Sequence, residues 1–315
     1  FSKIFPFVNS VNNFFKKFVV ADTLAIAVDR VFADPAAYPG PYLCMAVLLY
    51  AYQIYCDFSG YSDIAIGLAR LFGFSVRENF RRPYAARTLA EFWSRWHMSL
   101  SLWLQDYVFE PLAWSGWTKK LPVVGRYFKK PPTYSALVIT FLVSGLWHGV
   151  GWTYVVWGLV HGVLQVLGKM TKKQRRRIVK RLKLRTDTAA YRLFQQLLVL
   201  AMVCVSYVFF RAPTMETALY FLKNAFSGWG ALLSPGAVIA TLKAMGIGRV
   251  TGLLLLGGVG LTEWVEWRAE RGGLRSDEWM RALDGKKRMA LYYALALLIM
   301  TFGALGRSSF IYFAF

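Results

Sequence analysis

Charged residues and cysteines are scarce in this chain of 315 residues. Asp, Glu, Lys and Arg make up 17% of it, below the roughly 25% that is usual in soluble domains. Hydrophobic residues make up 56%, and the mean hydropathy is +0.38. This composition excludes a disordered chain and a nucleic-acid-binding tail, because both need abundant charge and little apolar surface. The three cysteines, Cys44, Cys56 and Cys204, stand singly without CxxC spacing, which favours buried apolar side chains over redox or metal groups.

Acidic residues are also few, with 17 against 38 Lys and Arg, so the net charge is +21. The basic residues cluster between apolar runs: residues 77–130 hold ten, residues 169–185 hold ten with no acid, and residues 268–288 hold seven. The positive-inside rule predicts that all three connections face the cytoplasm. Residues 169–185 also suit anionic lipid headgroups, although a solvated, topology-setting loop is the favoured interpretation. We therefore expect membrane lipid, and no nucleic acid, as a partner.

Several apolar runs approach the roughly 20 residues of a membrane-spanning helix. They are Tyr42–Cys56, Tyr134–Trp147, Trp152–Leu167, Leu193–Phe210, Val250–Trp267 and Met289–Leu305. The stretch Phe18–Phe32 carries charges and predicts an amphipathic or partly buried helix. The sequence thus predicts an all-α, multi-pass helical bundle in a membrane, with residues 1–315 as a single membrane-embedded domain. Because the chain begins at Phe1 and has no signal-peptide pattern, we expect an N-terminal portion to be missing.

A tryptophan-rich segment, EFWSRWHMSLSLWLQDY (91–107), predicts a helix at the membrane interface. Helical spacing places most of its large side chains on one face, with Glu91, Arg95 and Asp106 on the other. The residues of the apolar face are Trp93, Trp96, His97, Leu100, Trp103, Leu104 and Tyr107. We expect this helix to lie at the membrane interface or to pack under the bundle from the cytoplasmic side.

The chain has only three histidines: His97, His148 and His161. The apolar run before His148 has 14 residues, about 21 Å as a helix, and Gly149 and Gly151 then break it. His148 is therefore expected inside the membrane thickness at an unwound helix end, where an imidazole is suited to act as a general base. A structural hydrogen bond that joins helices is the alternative.

Other chemistries find little support in the motifs. The chain has no HExxH spacing, so a metal site formed by His148 and His161 is not expected, and it has no GxSxG element for a serine nucleophile. We expect neither a bound metal nor a bound cofactor. A transporter or export scaffold would also fit a basic helical bundle with an internal histidine.

Four segments together resemble the membrane-bound O-acyltransferase family, in particular its bacterial alginate O-acetyltransferase branch. They are DFSGYSDIAIGLARLFGF (57–74), ENFRRPY (78–84), EFWSRWHMSLSLWLQDY (91–107) and SGLWHGVGWTYVVWGLVHG (144–162). The resemblance implies a multi-helix fold around a tunnel through the membrane, with short horizontal helices at the cytoplasmic face.

The resemblance also implies roles for individual residues. His148 in GLWHG matches the catalytic histidine, and His161 in WGLVHG matches a second polar group of the site. His97 in RWH matches a histidine whose role is either structural or direct. Further candidates for supporting residues are Trp147, Gly149, Asp57 and Asp106. Asp57 and Asp63 flank a Ser-Gly pair, which favours turn or capping chemistry over substrate contact.

Two positions depart from the pattern of the family. Gln105 stands where relatives usually carry Arg, so an anion contact there is not expected, and the terminal FIYFAF (310–315) has Ala where relatives have Gln.

The implied activity moves an acetyl group from a cytoplasmic thioester such as acetyl-CoA toward hydroxyls of an exported polysaccharide such as alginate. Periplasmic or membrane acetylation partner proteins are expected beside it. The alternative is D-alanyl transfer to teichoic acid, because that sister branch shares the FW-x-RWH and GLWHG elements.

Overall fold

The computed structural model describes residues 11–115 and 131–303, and within them it contains helices, turns and no strands. The predicted all-α class is confirmed. The α-helices are α1 (Val11–Phe14), α2 (Asp22–Ala33), α3 (Gly40–Leu71), α4 (Leu89–Trp93), α5 (Met98–Leu104), α6 (Glu110–Trp114), α7 (Pro131–His148), α8 (Trp152–Met170), α9 (Lys172–Arg181), α10 (Ala189–Arg211), α11 (Met215–Asn224), α12 (Pro235–Ala244), α13 (Arg249–Arg271), α14 (Ser276–Ala282) and α15 (Gly285–Phe302). Two π-helical segments, Phe15–Ala21 and Gln105–Phe109, join neighbouring α-helices.

The chain divides into two compact units, and a single domain over residues 1–315 stays a prediction. The first unit comprises residues 1–78 and 219–315, and the second comprises residues 79–218. The chain passes between them at residues 78/79 and again at 218/219, inside α11.

The apolar runs predicted from the sequence coincide with helices α3, α7, α8, α10, α13 and α15. The last run extends to Leu305, which lies outside the described residues, and its helix ends at Phe302. In the described part of the chain, α10 alone is long and apolar enough to cross a membrane by itself. Helices α12 and α13 pass the same test as a pair bent by 79°. The alternation of these helices across a bilayer stays a prediction.

Helix α3 runs without interruption through the Ser-Gly pair at positions 59 and 60, so the predicted turn there was wrong. Asp57 does not cap a turn, because its carboxylate pairs with the ammonium group of Lys17 at 2.6 Å. Gly60 serves close packing: a Cβ atom at this position would lie 2.8 Å from the carbonyl oxygen of Asn13. Asp63 also lies within the helix, 3.9 Å from the guanidinium group of Arg275.

The N-terminal segment is partly buried, as the stretch Phe18–Phe32 predicted. Its helix α2 buries Leu24, Val28 and Val31, while Asp29 and Arg30 are exposed. At the end of α2 the ring of Phe32 stacks on Phe221, with ring centroids 4.3 Å apart.

A buried ion pair joins this N-terminal segment to α13 in the first unit. The ammonium group of Lys16 lies 2.5 Å from Oε1 of Glu266, and the two residues are only 2% and 5% exposed. The hydroxyl of Tyr55 donates to the other carboxylate oxygen of Glu266 at 2.6 Å. Both charges are removed from water, so each depends on the other for its stability in the folded protein.

We expect Lys16→Met to lower the free energy of unfolding by about 3–5 kcal/mol, because it leaves the carboxylate of Glu266 buried without its counter-ion. Replacing both residues, as Lys16→Met with Glu266→Leu, should cost less than the sum of the single changes. Thermal unfolding of the purified protein in detergent measures these effects. The control is Asp63→Asn, whose partly exposed and longer ion pair should contribute less than about 1 kcal/mol. Strictly additive single and double variants would contradict the expected coupling.

In the second unit, the predicted helix over residues 91–107 is interrupted, so the prediction of one continuous helix was wrong. Helix α4 ends at Trp93, and α5 begins at Met98 after His97, which adopts left-handed backbone angles (φ 42°, ψ 53°). The 3.6-residue period cannot continue across such a residue, so the large side chains do not share one face. Trp96 is 4% exposed, whereas Trp103 and Tyr107 are 50% and 68% exposed.

Candidate active site

His148 is the last residue of α7, and the helix break predicted from the sequence is confirmed. Residues Gly149–Gly151 are non-helical, and α8 begins at Trp152. The carbonyl oxygen of Gly151 accepts a hydrogen bond from the backbone N–H of Tyr154 at 3.1 Å, which starts the new helix. The chain therefore reverses beside the imidazole of His148.

Helices α7 and α8 touch through their backbones. A Cβ atom added at Gly158 would clash with the carbonyl oxygen of Phe141, and one at Gly145 would clash with that of Tyr154. At Gly162 it would lie 3.0 Å from the Cα atom of Val138. Small residues allow two helices to approach each other this closely, as is common where helices pack in membranes.

Three aromatic rings surround His148. Its ring centroid lies 4.8 Å from that of Trp147, 5.2 Å from Trp157 and 5.0 Å from Phe210, each nearly perpendicular to it. This edge-to-face arrangement fixes the ring plane. His148 is 8% exposed and lies next to the exposed residues Trp147 and Val150. Its imidazole is thus largely enclosed but near the surface of the second unit.

His161 is more deeply buried than His148, with 1% of its surface exposed. Its Nε2 atom lies 2.8 Å from the hydroxyl oxygen of Ser206 on α10, and Ser206 is itself fully buried. The ring of Trp157 packs against both histidines, 5.2 Å from His148 and 5.0 Å from His161. The predicted pair of histidines is therefore brought together through one indole ring.

His97 belongs to the same ring cluster. Its ring lies 6.2 Å from that of Trp147, which also contacts His148. Asn79 holds the strained backbone next to His97: its carbonyl accepts the N–H of Met98, and its side-chain oxygen accepts from Ser99. Burial lowers the pKa of His97 to about 4, so this imidazole is neutral at physiological pH.

Asp106, Asp57 and the terminal FIYFAF were also singled out from the sequence. Asp106 is exposed in the π-helical segment Gln105–Phe109, where Gln105 is exposed too. Asp57 belongs to the first unit and pairs with Lys17 there. The terminal FIYFAF lies outside the described residues.

Trp157, Phe210 and Ser206 were not predicted as members of the site. Trp157 precedes His161 by four residues and shares a face of α8 with it, which is a usable signal in the sequence. Ser206 and Phe210 lie in the apolar run of α10, where no motif marks them.

The sequence also matches a known family over the region that holds these residues. The model of the MBOAT, membrane-bound O-acyltransferase family matches residues 18–210, which is more than half of the chain. The chain belongs to this family. The matched range includes all three histidines and Ser206.

Individual acyltransferases are similar to this chain over part of their length. A probable alginate O-acetylase of Pseudomonas syringae pv. tomato is 36% identical over 221 residues, 70% of this chain and 38% of that protein. A peptidoglycan O-acetyltransferase of Helicobacter pylori is 33% identical over 210 residues, 67% of this chain and 36% of that protein. A teichoic acid D-alanyltransferase of Streptococcus thermophilus is 36% identical over 134 residues, 42% of this chain and 31% of that protein. The chain thus spans less than half of these relatives.

We expect Gly158→Ala to destabilise the protein by about 1–3 kcal/mol, because the new methyl group forces α7 and α8 apart. Gly168→Ala is the matched control in the same helix, since nothing lies within 4 Å of a Cβ atom there. That control should be neutral or stabilise the protein by up to about 1 kcal/mol, in line with helix propensity. Thermal unfolding in detergent compares the two variants, and equal unfolding temperatures would contradict the close backbone packing of α7 and α8.

Proposed function

We propose that this chain carries the acyl-transfer site of an O-acyltransferase that moves an acetyl group from a thioester donor to a hydroxyl acceptor. One observation carries the proposal: His148 lies at a helix break inside an aromatic enclosure and keeps part of its surface exposed. An imidazole in this position can exchange a proton with a ligand, and the family membership supports acyl transfer as the reaction.

In the proposed reaction, Nδ1 or Nε2 of His148 removes the proton from the acceptor hydroxyl. The hydroxyl oxygen then bonds to the thioester carbonyl carbon, and the carbon–sulfur bond breaks. The thiolate leaves with the proton that His148 had taken, so the imidazole returns to its neutral state. In this proposal, backbone N–H groups of the non-helical residues Gly149–Gly151 stabilise the negative oxygen of the intermediate.

Three of the other predicted site residues have supporting roles in this proposal. His161 is enclosed, so it acts as the second polar group without taking the hydroxyl proton itself. Trp147 and His97 fix the position of the His148 ring through ring contacts. Asp57 and Asp106 have no contact among the described residues that gives them a step in the chemistry.

The donor in this proposal is acetyl-CoA or a similar cytoplasmic thioester, and the acceptor is an exported polysaccharide such as alginate. Two of the relatives described above are named for O-acetyl transfer and match more than 60% of this chain, whereas the D-alanyltransferase matches 42%. The protein would lie in the cell inner membrane as a multi-pass bundle around a tunnel, with its short helices horizontal on the cytoplasmic side. Periplasmic or membrane partner proteins would complete the transfer to the polymer.

We expect His148→Gln to lower acetyl transfer by about 10²–10⁴-fold, the contribution of a general base. The assay follows radiolabelled acetyl groups from acetyl-CoA to polysaccharide in membranes that contain the full-length protein. Gln174→Ala, an exposed change on α9, is the control, and immunoblotting shows whether both variants reach the membrane. Wild-type transfer by the His148 variant would contradict the mechanism. Transfer of D-alanine instead of acetate would contradict an acetyl thioester as the donor.

A further inference from the structure

The hydroxyl group of Ser206 has two close neighbours, and together they determine where its proton lies. Its oxygen lies 2.7 Å from the carbonyl oxygen of Val203 and 2.8 Å from Nε2 of His161. Two oxygens at 2.7 Å need a hydrogen between them, because otherwise their lone pairs would face each other. The carbonyl has no proton to give, so the hydroxyl of Ser206 donates to it.

A serine hydroxyl has one hydrogen and can only accept at its second contact. The proton between Ser206 and His161 must therefore belong to Nε2 of the imidazole. A neutral imidazole with Nε2 protonated has a bare lone pair on Nδ1. In the described part of the chain, Nδ1 of His161 is buried and has no hydrogen-bond partner.

We propose that Ser206 is a positioning residue of the acyl-transfer site, which holds His161 as the Nε2-protonated tautomer and so presents Nδ1 as a hydrogen-bond acceptor. The role in the reaction rests on the proposed function, whereas the tautomer does not. The rings of Trp93 and Trp157 lie 5.1 and 5.0 Å from that of His161. Their indole N–H groups are buried and have no partner among the described residues.

One buried acceptor and two buried donors on neighbouring rings suit a ligand oxygen that bears a hydrogen. Such an O–H group donates to Nδ1 of His161 and accepts from an indole N–H. It belongs either to the acceptor substrate or to a bound water, and both place a hydroxyl next to Trp157, whose ring contacts His148. Unpaired polar groups are costly in a buried site, so this arrangement favours a bound hydroxyl over an apolar ligand.

The tautomer is measured by ¹⁵N NMR of the full-length protein labelled at histidine. The signals of His161 are assigned as those that disappear in His161→Gln. We expect the pattern of an imidazole protonated on Nε2 in the wild type. In Ser206→Ala we expect a mixture of both tautomers, and in Ser206→Thr, which keeps the hydroxyl, the wild-type pattern. A wild-type His161 protonated on Nδ1 would overturn the proposal, whatever the activity.

The kinetic arm measures acetyl transfer to alginate oligosaccharides. We expect Ser206→Ala to lose about tenfold in kcat/KM, the value of one hydrogen bond, and Ser206→Thr to recover most of it. Thr140→Val is the matched control, because the one partner of its buried hydroxyl among the described residues is the carbonyl of Ala136 in the same helix. A raised KM for the oligosaccharide identifies the acceptor hydroxyl as the bound group, and a lower kcat alone identifies a water.

The two proposals fail in different ways. An unchanged tautomer and full activity in Ser206→Ala would overturn the positioning role and leave the function of His148 standing. Full activity in His148→Gln would overturn the proposed function, while the NMR result for His161 would remain valid.

Discussion

The close contact of α7 with α8 is the constraint on which the candidate site depends. Apolar side chains gain little from packing against each other when the surroundings are lipid, so helix pairs there rely on close backbone approach. Gly145 and Gly158 permit that approach, and each stands opposite a carbonyl oxygen of the facing helix. Because the chain reverses within Gly149–Gly151, the histidines at positions 148 and 161 lie on neighbouring helices and share contact with one indole ring. If α7 and α8 were farther apart, these rings would lose contact, so the glycines determine the geometry of the candidate site.

In the first unit, buried ion pairs rather than close backbone contacts hold distant segments together. Lys16 and Glu266 are 250 positions apart in the chain, and their pairing selects one register between the N-terminal segment and α13. A second cation, Lys17, contacts the carboxylates of Asp22 and Asp57. Apolar surfaces tolerate sliding, whereas a buried charge that loses its partner is strongly unfavourable, so we infer that these ion pairs favour one arrangement of the elements they join.

Hydropathy predicted most of the helices, and the position of His148 at a helix end followed from the length of its apolar run and the glycines after it. The errors have a common cause. Gly60 was interpreted as a turn residue, but a sequence does not distinguish a glycine that bends the chain from one that lets another backbone approach. The tryptophan-rich helix was predicted as continuous because the 3.6-residue period assumes regular backbone, and nothing marks the left-handed angles of His97 in advance. Ser206 is a single serine in an apolar run, so only the structure brings it to His161.

The two histidines of the second unit are not equivalent, and their surroundings explain a division of roles. A general base must gain and lose a proton during each cycle, and this requires contact with a ligand. His148 retains some exposed surface, whereas His161 is enclosed by aromatic rings and bonded to Ser206 through Nε2. Protonating Nδ1 of His161 would place a charge in an apolar enclosure with no counter-ion among the described contacts of its ring, which is costly. The proton transfer of the proposed reaction is therefore carried by His148. The role of His161 is to hold its Nδ1 atom as a hydrogen-bond acceptor at a fixed position.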